Sequence, residues 1–282
     1  MKKLLSLVLA CLLCFGITAC NQGNHSSSSG TETDESWKKI EQSGTLIVGT
    51  DGTFPPMGYT DENGELVGFD IDVAKEAGKY LGVDIKFQII DWAKKEEVLD
   101  NYEVDVLWNG FSKTPESARN FSMSIPYLSS NQAILVKGNS TYYSLKDLSG
   151  ATIGVQNNSS AKYALNSTQN RDFKHSLKKI VEIESYPEAT TQVEKGMIDA
   201  IAIDEVSARF FMNNQPGTFR MLDEGGTPIS LADEDYVIGM RKNDEALTEK
   251  MNEVLMKLEK NGTLKDISYK WFGEDITTVE RS

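Results

Sequence analysis

Cysteine is confined to the first twenty residues of this 282-residue chain. Cys11, Cys14 and Cys20 are its three, so nothing beyond Cys20 can form an intramolecular disulfide or a thiolate metal site. Histidine is scarcer, with only His25 and His175, and neither a histidine-based nucleophile relay nor a multi-histidine zinc site can be assembled. No metal or cofactor is expected. Basic charge is also short: 29 Lys plus Arg stand against 42 Asp plus Glu, a net charge of −13, with no Lys/Arg cluster. A nucleic-acid binder needs a basic footprint, so that class is excluded. What remains is 39% apolar and 25% charged, a globular composition with length for two ordinary domains.

The chain opens with Met1-Lys2-Lys3, and residues 4–17 are an apolar run of signal-peptide length. A membrane-spanning helix takes about 20 apolar residues, so this run is short for one. It ends in Ile17-Thr18-Ala19-Cys20, which resembles a bacterial lipobox. That resemblance implies a signal peptide over 1–19 and a lipid-modified Cys20 as the new N-terminus. Residues 21–36 are rich in Ser, Thr, Gly and Asn without apolar periodicity, and 20–36 reads as a lipidated cysteine with a flexible tether. An anchored position on the extracytoplasmic face of the cell membrane is expected.

Beyond the tether, strands and helices alternate. Leu46 to Gly49 is a buried-strand run that stops at Thr50-Asp51-Gly52, and Phe54-Pro55-Pro56 continues neither strand nor helix. Asn63-Gly64 marks a turn between short strands. Helical spacing of Ile71, Val73, Ala74, Ala77, Tyr80 and Leu81 predicts a helix from Asp70 that Gly82 closes. Strands are predicted at 85–90, 104–108, 133–136, 152–155, 198–203 and 236–241, and helices at 161–165, 205–212 and 245–260. Such alternation argues for α/β layers with largely parallel sheets, where ligands gather at strand C-terminal ends. Asp51, Trp92, Asn109 and Asp204 all fall at those ends.

Five segments then carry a signature in order: Gly49-Thr50-Asp51-Gly52-Thr53-Phe54-Pro55-Pro56, Asn63-Gly64-Glu65-Leu66-Val67-Gly68-Phe69-Asp70, Trp108-Asn109-Gly110-Phe111-Ser112-Lys113-Thr114-Pro115-Glu116, Ile198-Asp199-Ala200-Ile201-Ala202-Ile203-Asp204, and Lys260-Asn261-Gly262-Thr263-Leu264 with Lys270-Trp271-Phe272-Gly273. From about Ser43 to Thr277 the chain resembles the family 3 solute-binding proteins, extracellular amino-acid receptors of ABC importers. The resemblance implies an α/β, two-lobed periplasmic-binding-protein-like fold of type II, with two crossing hinge strands and the ligand cleft between lobes. Lobe 1 is expected at 37–130 plus 232–282 and lobe 2 at 131–231. Hinge closure around an amino acid is the motion this implies.

Residue by residue, the resemblance places Asp204 against the ligand's α-ammonium, a charge-assisted contact. An Asp before Glu205-Val206-Ser207 is also a good helix N-cap. Ser112 and Thr114, with backbone N–H groups near Gly110 and Ser112, match donors to the α-carboxylate. Ser159 and Ser160 join them from the start of the helix at 161–165, where free N–H groups favour an anion. Phe54 and Trp92 match rings that flank the ligand side chain. Asp51 matches a contact to a side-chain amide or ammonium, beside its alternative as a turn residue, and Gln156 belongs to the same pocket. Trp108, Phe69 and Phe111 read as core or wall. The family pattern Thr-Pro-Glu-Arg is broken here as Thr114-Pro115-Glu116-Ser117, which replaces a bidentate guanidinium by one neutral hydroxyl. Arg119 lies about 200° around a helix from Ser117 and cannot substitute. Reduced affinity, a ligand without an ordinary carboxylate, or another cation moving in are all open.

The resemblance therefore implies a non-enzymatic, lipid-anchored binding component for a polar or cationic amino acid or cystine. It would act as a monomer that delivers ligand to an ABC permease and its ATPase. A dehydratase-like enzyme on the same fold is the alternative, with Asp51 and Asp204 as a nominal acid/base pair. A surface interaction or sensor protein is the third, and a sensor would be expected to lead into a transmembrane and signalling region.

Overall fold

Short runs of branched apolar residues build one twisted sheet. Its eight principal strands are β1 (Thr45–Thr50), β2 (Asp84–Ile89), β3 (Val106–Ser112), β4 (Leu128–Lys137), β5 (Thr152–Gln156), β6 (Lys179–Ile183), β7 (Ala200–Asp204) and β8 (Ala232–Arg241). The computed structural model describes residues 34–279. The signal-like run, Cys20 and most of the Ser/Thr-rich stretch lie outside the described residues. Among those described, no helix is long and apolar enough to cross a membrane.

Strand order is β2-β1-β3-β8-β4-β7-β5-β6. At one end β1 pairs in parallel with β2 and β3, and at the other β5 pairs in parallel with β6 and β7. The middle is antiparallel. Leu128 to Gln132 of β4 faces Tyr236 to Ala232 of β8. Beyond that shared stretch β4 runs on beside β7, and β8 runs on beside β3. Each ten-residue strand thus starts at the junction and ends in the opposite half. The expected parallel layers hold within each half, and the two crossing strands join them.

Helices cover the halves as their apolar spacing dictates. The helix Phe69–Leu81 buries Phe69, Ile71, Val73, Ala74 and Ala77, and Gly82 ends it at φ 72°, a left-handed angle that glycine adopts without a Cβ clash. Helix Glu245–Lys260 buries Leu247, Met251, Val254, Leu255 and Leu258 on one face. Each such side chain contributes about 1.5–3 kcal/mol by leaving water.

One boundary differs in a way that matters for the site. The strand expected to stop before Asn109 continues as β3 to Ser112, buried at every position. β3 is an interior strand that pairs with β1 at Val106 and Leu107 and with β8 at Val106, Leu107, Phe111 and Ser112, on either side of an irregularity that spans Asn109 and Gly110. Asn109 and Gly110 are therefore part of the sheet and not of a loop beyond it.

Candidate functional site

The C-terminal ends of β1, β3, β5 and β7 converge with the crossing strands on a cleft of about 720 Å³, counting its open mouth. Ten of the twelve candidate residues line it: Phe54, Trp92, Gly110, Ser112, Thr114, Ser117, Gln156, Ser159, Ser160 and Asp204. Asp51 and Asn109 stand behind this lining. Asn109 is fully buried, and its Oδ1 accepts from the Asp51 backbone N–H at 2.9 Å and from the Thr50 hydroxyl. That amide fixes the turn after β1, which is a structural role.

Asp204 ends β7 and stands at the N-cap position of helix Glu205–Asn214, yet its side chain makes no capping bond. It turns into the cleft, where Oδ2 accepts from the Tyr186 hydroxyl and Oδ1 from the Tyr236 hydroxyl, both at 2.7 Å. Burial raises the carboxyl above its ordinary range, and the two phenols oppose that rise. Glu234, on β8, lies in the same buried region. Its Oε2 accepts from Ser112 Oγ at 2.7 Å and from Gln132 Nε2 at 3.0 Å. Burial, reinforced by the charge of Asp204, pushes Glu234 up to about 7. Neither carboxylate forms an ion pair with any described side chain. Two acids that share one low-dielectric space repel each other and hold protons to higher pH than either would alone.

Aromatic rings frame these acids. Phe54 packs 5.4 Å from Tyr186 and edge-on to Tyr236 at 6.4 Å between ring centroids. Gly110 has φ 54°, and a Cβ there would lie 2.3 Å from Phe54 Cε1, so only glycine lets the ring sit against the strand. Trp92 packs edge-on to Phe111 at 6.2 Å, and Phe111 also enters the core, as expected for a wall residue. Trp108 and Phe69 are fully buried.

The expected carboxylate donors are committed differently from the sequence reading. The Gly110 N–H donates to Asp70 Oδ2 at 2.6 Å and is not free for a ligand. Asp70 is fully buried, accepts also from Tyr127 at 2.8 Å, and is pushed up to about 7 by burial, with the Gly110 N–H opposing. Ser117 Oγ accepts from the Thr114 N–H at 2.8 Å, while Thr114 Oγ1 accepts from the Ser117 N–H at 3.0 Å. This is a reciprocal capping box with serine in its second position. The Ser117 proton faces the Ser112 and Thr114 carbonyls at 3.0 and 3.1 Å. Ser159 caps helix Ser160–Asn166 by accepting from Lys162 N at 3.3 Å, and donates to the Gln156 carbonyl at 2.8 Å. Ser160 Oγ accepts from Gln132 at 3.2 Å.

Direct bonds cross the cleft. Gln156 Nε2 donates to Asp51 Oδ2 at 2.8 Å, and Thr53 Oγ1 donates to Asp51 Oδ1 at 2.7 Å. Burial raises the Asp51 carboxyl, and these two donors oppose it. Asn158 Nδ2 donates to the Ala93 carbonyl at 3.0 Å, and Lys95 Nζ donates to the Asn158 carbonyl at 2.8 Å. Ser207 Oγ donates to the Pro55 carbonyl.

Sequence reasoning missed Glu234, Lys95, Tyr186, Tyr236 and Gln132. Glu234 is two residues before Tyr236 on one strand, and period-two alternation puts both on the same face. Lys95 is four residues before the buried Leu99 in the short helix Lys95–Asp100, which puts both on its inner side.

The sequence and this arrangement have matches among known proteins. The family model described as bacterial extracellular solute-binding proteins, family 3, matches residues 46–274. The arginine-binding extracellular protein ArtP of Bacillus subtilis (strain 168) is 31% identical over 278 residues, covering 96% of this chain and 98% of its own. The L-cystine-binding protein TcyJ of Escherichia coli (strain K12) is 29% identical, covering 85% and 86%. The crystal structure of an ABC uptake transporter substrate-binding protein from Streptococcus pneumoniae with bound histidine superposes with a TM-score of 0.82 at 31% identity, covering 88% of this chain and all of the other. The two-lobed type II fold and the family match over most of the chain agree: this chain belongs to the family 3 bacterial extracellular solute-binding proteins.

Proposed function

We propose that this chain is the substrate-binding component of an amino-acid ABC importer and takes a polar or cationic amino acid, or cystine, between its lobes. One observation carries the reading. Asp204 is a buried carboxylate oriented by two phenols, beside a second buried acid, without a cationic partner among the described side chains. A ligand ammonium supplies the missing charge and a charge-assisted bond. Among the described residues that line the cleft, the acids Glu96, Glu116 and Asp204 outnumber the one lysine, Lys95, which favours ligands with added positive charge or neutral polarity. Lobe 1 would comprise 37–130 plus 232–282, and lobe 2 131–231. Lipid on Cys20 would hold the monomer at the extracytoplasmic face of the membrane, next to the permease and its ATPase.

The chain acts without catalysis in this reading. An acid/base pair on Asp51 and Asp204 has little support, because Asp51 is engaged by Thr53 and Gln156 and Asp204 by Tyr186 and Tyr236.

The test is a thermal-shift screen of the full chain against the proteinogenic amino acids and cystine, with Asp204→Asn in parallel. A ligand at a hundredfold excess over its Kd stabilises by about 2.7 kcal/mol. One or a few amino acids should shift the wild type. Asp204→Asn should weaken that ligand about 100-fold or more. A wild type that no amino acid stabilises would refute the reading.

A further inference from the structure

We propose that Lys95 is the cation that receives the ligand's α-carboxylate in this cleft. The inference rests on the amino-acid reading above and specifies how that ligand is held. A carboxylate taken out of water needs charged or uncommitted donors. Four of the expected hydroxyls and the expected Gly110 N–H are used within the protein. Ser112 donates to Glu234, Thr114 to Ser117, Ser117 to a carbonyl, Ser159 to Gln156, and the Gly110 N–H to Asp70.

Lys95 is the one basic side chain among the described residues that line the cleft. It is 9% exposed and forms no ion pair with any described side chain. Its ammonium donates to the Asn158 carbonyl at 2.8 Å and reaches the Trp92 carbonyl at 3.4 Å, which leaves the third N–H for a ligand. It lies 5.4 Å from the Trp92 ring centroid. Glu116, between Thr114 and Ser117 in the chain, is the charge that acts on it most strongly, followed by Glu96 and Asp51, and Lys95, Thr114, Glu116 and Ser117 line the same cleft. Where Ser117 offers no charge, a lysine from the neighbouring helix does. Because Lys95 also bonds across the cleft to Asn158, a carboxylate on its ammonium would tie ligand charge to the contact between the halves.

The experiment measures Kd by calorimetry for the full chain, Lys95→Met and Lys95→Arg against paired probes: L-arginine with agmatine, L-histidine with histamine, L-cystine with cystamine. Each second member lacks the carboxylate. Lys95→Met removes a buried charge and keeps an apolar stem, so folding is retained. The expected result is a 10- to 100-fold loss for the amino acid that binds, in line with a charged hydrogen bond, with a loss under threefold for its amine and substantial recovery in Lys95→Arg. Equal losses for acid and amine would make Lys95 a cross-cleft strut and overturn the inference. Unchanged amino-acid binding in Lys95→Met would overturn it while the importer reading stands. A wild type that binds no amino acid would remove the reading and the inference together.

Discussion

Replacing Glu234 by glutamine should make the chain more stable at pH 8 and much less so at pH 5. The folded-state carboxyl is pushed up to about 7 from the ordinary 4.5, by burial first and by Asp204 second. Between those values the folded protein holds a proton that the unfolded chain has released, so stability falls as pH rises. The penalty is absent well below 4.5, grows through the interval, and is complete above 7. At about 1.4 kcal/mol per pH unit the whole interval amounts to about 3 kcal/mol, most of which accrues between pH 5 and 8. Glutamine keeps an oxygen that accepts from Ser112 and Gln132 and never ionises. Asp70 is buried elsewhere and titrates alike in both proteins, so its contribution cancels in the comparison. Urea unfolding of wild type and Glu234→Gln at pH 5, 6, 7 and 8, followed by tryptophan fluorescence, gives the two stability curves. Their difference should widen in favour of the variant by roughly 2–3 kcal/mol across that range. Parallel curves, or a difference that narrows with pH, would show that Glu234 does not carry the strained charge.

Binding should be linked to protons with the same sign. An ammonium at Asp204 favours the ionised acids, so amino-acid affinity should rise from pH 5.5 to 7.5 with protons released. Calorimetry in buffers of different ionisation enthalpy reads that release, and zero exchange would contradict it. Gly110→Ala should destabilise the chain by roughly 1–3 kcal/mol through overpacking against Phe54, with added strain from the φ of 54°. The displaced ring enters the cleft, so the amino-acid melting shift should shrink in the same variant, and a full-sized shift would show that Phe54 can retreat elsewhere.

Most of the architecture was legible because it follows from apolar spacing. The helix at 245–260 shows its five buried positions in the sequence, and the Gly82 stop is a left-handed cap. Asp204 was legible as a strand-end acid, but its choice between capping and cleft was not, because Tyr186 and Tyr236 lie 18 and 32 positions away and no local rule brings them to it. Glu234 was hidden in Asp233-Glu234-Asp235, three acids that read as a solvated run until strand alternation buries the central one. Lys95 was hidden likewise in Lys94-Lys95-Glu96-Glu97, where only one of four charges turns inward. Asn109 misled for a different reason. The dipeptide Asn109-Gly110 reads as a strand's end, whereas pairing of Phe111 and Ser112 with β8 carries the strand on to Ser112. In each case the missing information was tertiary: which polar group a neighbouring strand or ring accepts into the interior.

The buried acids connect stability to binding. Glu234 sits on one crossing strand, accepts from Gln132 on the other, and accepts from Ser112 in the half that carries β1 to β3. Gln132 in turn reaches Ser160 in the half that carries β5 to β7. The unfavourable charge is therefore stored where the two halves meet, within reach of Asp204. A cationic group placed at Asp204 relieves that repulsion, and the relief appears as affinity. The free energy that weakens the ligand-free chain at pH 8 and the pH-linked part of ligand affinity then have one origin. Glu234→Gln should accordingly gain stability and lose affinity together, with both changes fading toward pH 5. A variant that gained stability at pH 8 and kept its full affinity would separate the two and place the ligand's charge away from the junction.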